Sequence, residues 1–401
     1  MRLEDACELI ADCPHTTAPD EGQGYPLVRT PNIGLGRLVF DNMHRVSESV
    51  YKQRNKRATP RAGDLIYARE AMPGNVALLL PGQEVCLGQR TVLIRPNNEI
   101  VESAYLTYLL LSNECRNKLV GTANGATVLH VNIPAIRNFD ITLPPLPTQR
   151  KIAKVLSAYD DLIENNTKRI RILERMAEEL YKEWFVRFRF PGHETAKFVN
   201  GLPEGWRVER IEECCDSIGG GTPSTSEPAY WGGEIKWVTP TDVTAKKSIP
   251  LLNVAGRITE EGLRRSSAKL LPPYSILMTS RASIGYFGIS PETVCTNQGF
   301  IAIIPTRDSL RMYMLWMLKS RREEIINNAN GSTFLEISKG RFRKMKMVLP
   351  CEGLLERFED EAVKSFQMVL NLERQNALLA RQRDLLLPRL MSGKLSVEGV
   401  G

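Results

Sequence analysis

Two short basic runs are the residues most suggestive of chemistry. Lys52-Gln-Arg54-Asn-Lys56-Arg57, followed by Arg61, and Arg341-Phe-Arg343-Lys-Met-Lys346 each gather several cations within two helical turns. Such clusters suit a row of phosphates, and a solvated surface stripe would read the same way. The remaining reactive types form no centre. His15, His44, His130 and His193 are scattered and contain no His-Glu-x-x-His. The eight cysteines (Cys7, Cys13, Cys86, Cys115, Cys214, Cys215, Cys295 and Cys351) show no Cys-x-x-Cys pair and no histidine at zinc-ligand spacing. Buried free thiols and no metal are expected. Gly219-Gly-Gly-Thr-Pro lacks the Gly-Lys-Ser/Thr of a phosphate loop. These residue types point to recognition rather than catalysis.

A second pattern also falls short. Leu271-Pro-Pro-Tyr274 resembles the Asn-Pro-Pro-Tyr of adenine methyltransferases, but Leu271 stands where an asparagine would hold the amino group. It reads as a turn. Composition is that of a soluble protein, 42% hydrophobic and 25% charged with a mean hydropathy of −0.23. The 401 residues suffice for two or three domains. No apolar stretch reaches the ~18 residues of a membrane span and no signal peptide opens the chain, so a cytoplasmic protein without membrane contact is expected. The net charge of +7 is uneven: zero over 1–149, +3 over 150–190, +5 over 191–350 and −1 over 351–401.

The elements that must position any recognition surface are written twice. Ala123-Asn-Gly-Ala-Thr127 returns 206 positions on as Ala329-Asn-Gly-Ser-Thr333, and Leu143-Pro144 as Leu349-Pro350. Upstream, Val85-Cys-x-x-Gln89 matches Val294-Cys-x-x-Gln298, and Leu65-Ile-Tyr-Ala-Arg69 matches Leu277-Met-Thr-Ser-Arg281. Val28-Arg-Thr-Pro-Asn-Ile33 matches Val238-Thr-Pro-Thr-Asp-Val243, and Arg2-Leu-Glu-Asp-Ala-Cys7 matches Arg210-Ile-Glu-Glu-Cys-Cys215. Six matches in one order establish an internal repeat. The first half lacks the Leu202-Pro-Glu-Gly-Trp206 that introduces the second, so either a missing opening strand or a misassigned start codon is expected.

Each half reads as α+β. Strands are expected at 64–69, 85–87, 91–95, 275–279, 293–295 and 300–304, and helices at 104–119 and 311–326. Polar, Gly-rich turns lie between them, the usual place for recognition residues. After each half comes a long amphipathic helix. The first, expected over 149–185, places Ile152, Leu156, Tyr159, Ile163, Asn166, Ile170, Leu173, Ala177 and Leu180 at alternating steps of four and three, the seam of a coiled coil. Its equivalents are Phe358, Ala362, Ser365, Val369, Leu372, Asn376, Leu379, Arg383 and Leu386, in a helix expected to end near Pro388 with Gly393 as terminator. The simplest pairing is intramolecular and antiparallel. Asn166 is the one strongly polar seam residue, placed to fix register or to cap a hydrated gap. The exposed face, with Asp160-Asp161, Lys168-Arg169 and Glu178-Glu179, is expected to be a docking surface. The expected domains are 1–148, the spacer helix 149–190, 191–350 and the spacer helix 351–401.

Leu143-Pro-Pro-Leu-Pro-Thr-Gln-Arg-Lys-Ile-Ala-Lys-Val-Leu-Ser157, with Asp160-Asp161 and Leu180–Phe188, resembles the central helical region of type I restriction-modification specificity subunits. Gly220-Gly-Thr-Pro-Ser224 and Tyr230-Trp-Gly-Gly-Glu-Ile-Lys-Trp-Val-Thr-Pro240 resemble the opening of that family's target recognition domains. Arg383-Asp-Leu-Leu-Leu-Pro-Arg-Leu-Met-Ser-Gly-Lys-Leu395 resembles its C-terminal helical region. The resemblance implies a non-catalytic subunit with two tandem target recognition domains on an antiparallel helical spacer, each domain reading half of a split double-stranded DNA site. It implies partners: two modification subunits that methylate adenine, and restriction subunits. S-adenosylmethionine, ATP and Mg would belong to those partners, and no cofactor to this chain. Base edges are then to be read by side-chain forks in the major groove, with Lys and Arg fixing register on phosphates. The repeat-matched candidates are Arg29 and Asn32 with Thr239 and Asp242, Arg69 with Arg281, Gln89 with Gln298, and Asn124 and Thr127 with Asn330 and Thr333. Two domains reading different bases make non-matching residues equal candidates: Arg37, Arg90, His130, Lys246 and Lys247, beside Lys52, Arg54, Lys56, Arg57, Arg341 and Arg343 of the basic runs. Matched residues can also simply brace the fold, as Asn in an Asn-Gly turn does. A duplicated coiled-coil adaptor that binds proteins instead of DNA is the other reading the repeat allows.

Overall fold

The computed structural model describes residues 1–123, 129–246, 248–331 and 335–399. The chain forms two compact units, one of residues 1–163 with 378–401 and one of residues 164–377. Both long helices contribute to both units.

In the first unit a five-stranded sheet runs in the order Cys7–Asp12, Thr91–Pro96, Leu65–Ala68, Val76–Leu78, Leu35–Gly36. All neighbours pair antiparallel except the last two. Strand residues alternate between faces, and here both faces are buried. Leu65 and Tyr67, Val76 and Leu78, and Val92 and Ile94 enter a core with Tyr105, Leu106 and Leu110 of a covering helix. Their neighbours Ile66, Ala68, Ala77, Leu79 and Leu93 enter a second core with Val28, Ile33, Val85 and Leu87. That is why these segments read as continuous apolar runs rather than alternating ones.

The second unit repeats the plan. Its sheet runs Cys215–Gly219, Phe300–Pro305, Ile276–Thr279, Phe287–Ile289. Ile276, Met278, Ile301 and Ile303 face one core and Leu277, Phe300 and Ala302 the other. Each unit also has a small three-stranded sheet with a parallel pair, Tyr25–Val28 beside Cys86–Leu87 and Trp231–Val238 beside Cys295–Thr296. The halves differ at their openings. Arg207–Arg210 pairs with Lys346–Leu349 over four residues, whereas the first unit has a single bridge, Arg2 to Asp140.

The α+β class with two long helices is as expected. The helix expected over 104–119 is two helices, Ser103–Leu111 and Asn113–Gly121. Ser112 breaks them at ψ 143° and caps the second through Cys115 N–H, the competition with helical bonding that serine offers. The equivalent break falls at Arg321, between Arg311–Ser320 and Arg322–Asn327.

The first spacer helix runs from Leu146 to Tyr181, taking in Pro147 in a first turn where proline costs nothing, and ends in a wider turn over Lys182–Val186. The second runs from Glu352 to Met391 and passes Pro388, three residues beyond the expected end region. Proline there removes one bond of the last turn, and Leu390, 3% exposed in the core with Ile152 and Leu156, holds that turn in place. Gly393, at φ 71°, then reverses the chain. In the second unit Ile170 and Leu173 pack on Val369 and Leu372, while Ala177 and Tyr181 share a core with Phe358, Ala362 and Phe366. Rising numbers on one helix meet falling numbers on the other, so the pairing within the unit is antiparallel. Leu180 packs at the edge of that core and Leu386 at the edge of the first unit's, while Tyr159, Ile163 and Leu379 are half-buried.

Five cysteines are buried as free thiols, and burial pushes Cys7, Cys215 and Cys295 up to about 12. Cys351 departs from expectation by being exposed. No helix among the described residues is long and apolar enough to cross a membrane.

Candidate nucleic-acid interface

The candidate residues separate into braces and surface groups. Asn32 is 2% exposed and accepts from Arg29 N–H at 3.1 Å while donating to Val39 O. Its counterpart Asp242 accepts from both the N–H and the hydroxyl of Thr239 at 2.7 Å. In both halves this matched pair closes a turn. Arg54, inside the first basic run, is 7% exposed and donates to the carbonyls of Leu87, Thr16 and Pro14. Arg343, inside the second, clamps Ser217 through its hydroxyl at 2.7 Å and its carbonyl at 2.8 Å. Its counterpart Arg137 donates to one carbonyl, Ile10 O, at 2.8 Å in the first unit. Asn32, Arg54 and Arg343 therefore belong to the scaffold.

Arg69 is a further brace, in a network of the first unit. Its Nη1 meets Asp12 Oδ1 at 2.8 Å, its Nε donates to Val131 O at 3.0 Å, and its Nη2 donates to His130 Nε2 at 2.5 Å. With Nε2 accepting, the ring proton sits on Nδ1, 2.6 Å from Glu70 Oε1. Glu70 in turn holds Arg90 Nε at 2.8 Å. The matched Arg281 is instead exposed.

Surface groups do converge in the first unit. Arg29, Gln89 and Arg90 line one cavity of about 280 Å³ with Thr17, Asp20 and His44. Gln89 Nε2 donates to the Thr17 hydroxyl at 2.5 Å, whereas Gln298 Oε1 accepts from the Thr222 hydroxyl at 2.5 Å. Lys52 is exposed and paired with Glu48, Lys56 is exposed, and Arg57 is exposed with a 3.4 Å bond to Asp12 O. In the second unit Arg341 is exposed and donates to Asn328 O, Asn330 is exposed, and Lys246 donates to Pro250 O. Asn124, Thr127, Lys247 and Thr333 lie outside the described residues.

The spacer departs from expectation on one face. Asp160 does not face solvent: it is 5% exposed, 2.5 Å from Tyr108 Oη, and paired with Arg383. Asp161 is exposed but takes Arg37 at 2.7 Å. The acidic pair thus fastens the first recognition domain to its helices, and Arg37 is engaged there rather than offered to a ligand. In the second unit Glu174 accepts from Ile249 N–H at 2.7 Å and Glu373 accepts from the Ser248 hydroxyl. Sequence reading missed three of these fasteners. Gln149, 1% exposed, donates to Pro144 O and Ile100 O and accepts from Glu102 N–H. Glu174 and Glu373 are the others, and nothing in their spacing announced them.

A model of the type I restriction modification DNA specificity domain matches residues 1–175 and again 203–352. The chain belongs to that family. It is a specificity subunit, with two DNA-recognition domains and no catalysis assigned to it. The match falls on both halves, so the protein-binding adaptor is set aside. The chain is 24% identical over 402 residues to the type I restriction enzyme HindI specificity subunit of Haemophilus influenzae, covering 84% of this chain and 87% of that one. It is 25% identical to a putative type I restriction enzyme MjaX specificity subunit of Methanocaldococcus jannaschii, covering 87% and 82%. The crystal structure of a type I restriction-modification system S subunit from M. genitalium shares the fold, with a TM-score of 0.58 at 14% identity over 97% of this chain and 95% of that one.

Proposed function

We propose that this specificity subunit reads a bipartite double-stranded DNA target, one half through each recognition domain, and carries two modification subunits and the restriction subunits to that site. The observation behind the reading is the duplication itself: two domains of one plan, each fastened by side chains to a shared pair of helices. Their non-matching surface residues let each domain prefer different bases. Cofactor chemistry, with S-adenosylmethionine, ATP and Mg, is assigned to the partners, and the complex works on cytoplasmic DNA. Sequencing modified adenines in the host with and without the gene tests this. Loss of one split motif is the expected result; an unchanged set of methylated sites overturns it.

A further inference from the structure

The two units also differ beside the main sheet of each. In the second, an open groove of about 660 Å³ lies along Asp216–Gly220 and is walled by Ser267, Lys269, Gln298, Glu336 and Lys339. In the first, the corresponding ground between Asp12 and His130 is crossed by the buried Arg69. In the second unit Arg281 is exposed and Glu336 stands in place of His130, and the groove there is open.

The lining is suited to a nucleic-acid strand. Lys269 and Lys339 are exposed, and among the described residues neither makes an ion pair with a carboxylate. Arg343 adds charge but is held on Ser217, and Asp216 and Glu336 oppose it, so three cations face two acids. A uniformly basic trough would hold phosphate alone. This mixture of cations, carboxylate, amide and hydroxyls offers partners to phosphate and to base edges together. Glu336 is exposed, and at its position the halves differ in kind, acid against imidazole. A carboxylate there can accept from the amino group of cytosine, whereas phosphate would avoid it.

We infer that this groove holds the DNA of the second recognition domain, with Lys269 and Lys339 on phosphates and Glu336 as a specificity-determining residue at a base edge. The inference rests on the DNA-reading function proposed above and assigns it to residues in one half. Binding is to be measured by fluorescence anisotropy on the chain assembled with its modification subunits, against duplexes of the target and of single-base variants, across a salt series. Lys269→Ala and Lys339→Ala are expected to weaken all duplexes several-fold and to flatten the log–log salt dependence by about 0.9 each. Glu336→Gln is expected to leave that slope unchanged and relax or shift preference at one base of the second half-site only. All three side chains are exposed, so melting temperature should not move. Wild-type-like slopes and base preferences in all three variants overturn the assignment while leaving the DNA-reading function standing. A wild-type complex without sequence preference overturns that function itself, and the assignment with it.

Discussion

Tyr108, Asp160 and Arg383 show how one residue set can make two similar halves non-interchangeable. Shifted by the repeat, Asp160 becomes Phe366, Arg383 corresponds to Ala177, and Tyr108 to Met314, all three buried in an apolar core. A buried ion pair adds little net stability, but removing one partner strands a charge. Arg383→Ala should therefore cost about 3–5 kcal/mol in urea unfolding. The triple replacement Tyr108→Met, Asp160→Phe, Arg383→Ala, which copies the apolar set, should recover most of that loss. Burial also pushes Glu174 and Glu359 up to about 7 from an ordinary 4.5. Between those values the folded protein holds more protons than the unfolded chain, so stability falls as pH rises from about 4.5 through 7. Glu174→Gln, still able to accept from Ile249 N–H, should flatten that decline, read as unfolding midpoints at pH 5 and pH 8.

At the scale of elements, the helix pair is registered by polar contacts inside an apolar seam. Asn166 is 6% exposed and donates to Asn376 Oδ1 at 3.0 Å, a contact placed to set register. Replacing both with leucine should raise stability by about 1 kcal/mol while loosening register. A cysteine pair at Ile170 and Leu372 would report this: one disulfide in the parent, and slipped products at neighbouring positions in the double variant. The end of the first spacer helix is organised differently. Phe185 lies 4.8 Å from the Tyr313 ring and 5.0 Å from that of Phe358, both edge-on, so an aromatic cluster fastens it to the second domain.

For the whole molecule, the two long helices are common to both recognition domains, and the proposed function makes them a spacer. Inserting one helical turn of four residues (~3.6 per turn) into each helix, midway along the seam, should change the gap between half-sites and leave both half-site sequences intact. Methylome sequencing separates the outcomes; altered half-site bases would contradict the spacer role.

The sequence by itself determined the duplication, the α+β character of each half and the partner of the long helix. Those follow from recurring residue strings and from apolar periodicity, which are local properties. It also placed Asn166 in the seam and marked Gly393 as a terminator. What it could not separate was brace from reader. Arg54 and Lys56 stand two apart in one basic run, yet the first is buried and donates to three carbonyls while the other faces water. Asp160 and Asp161 are adjacent, yet helical rotation of about 100° per residue sends only the first into the core. Arg69 and Arg281 match in the repeat, yet the first is buried against Asp12 and His130 and the second is exposed. Charge and residue type are carried by the chain one position at a time; which charges are answered from within depends on neighbours distant in sequence, and only the tertiary structure supplies those.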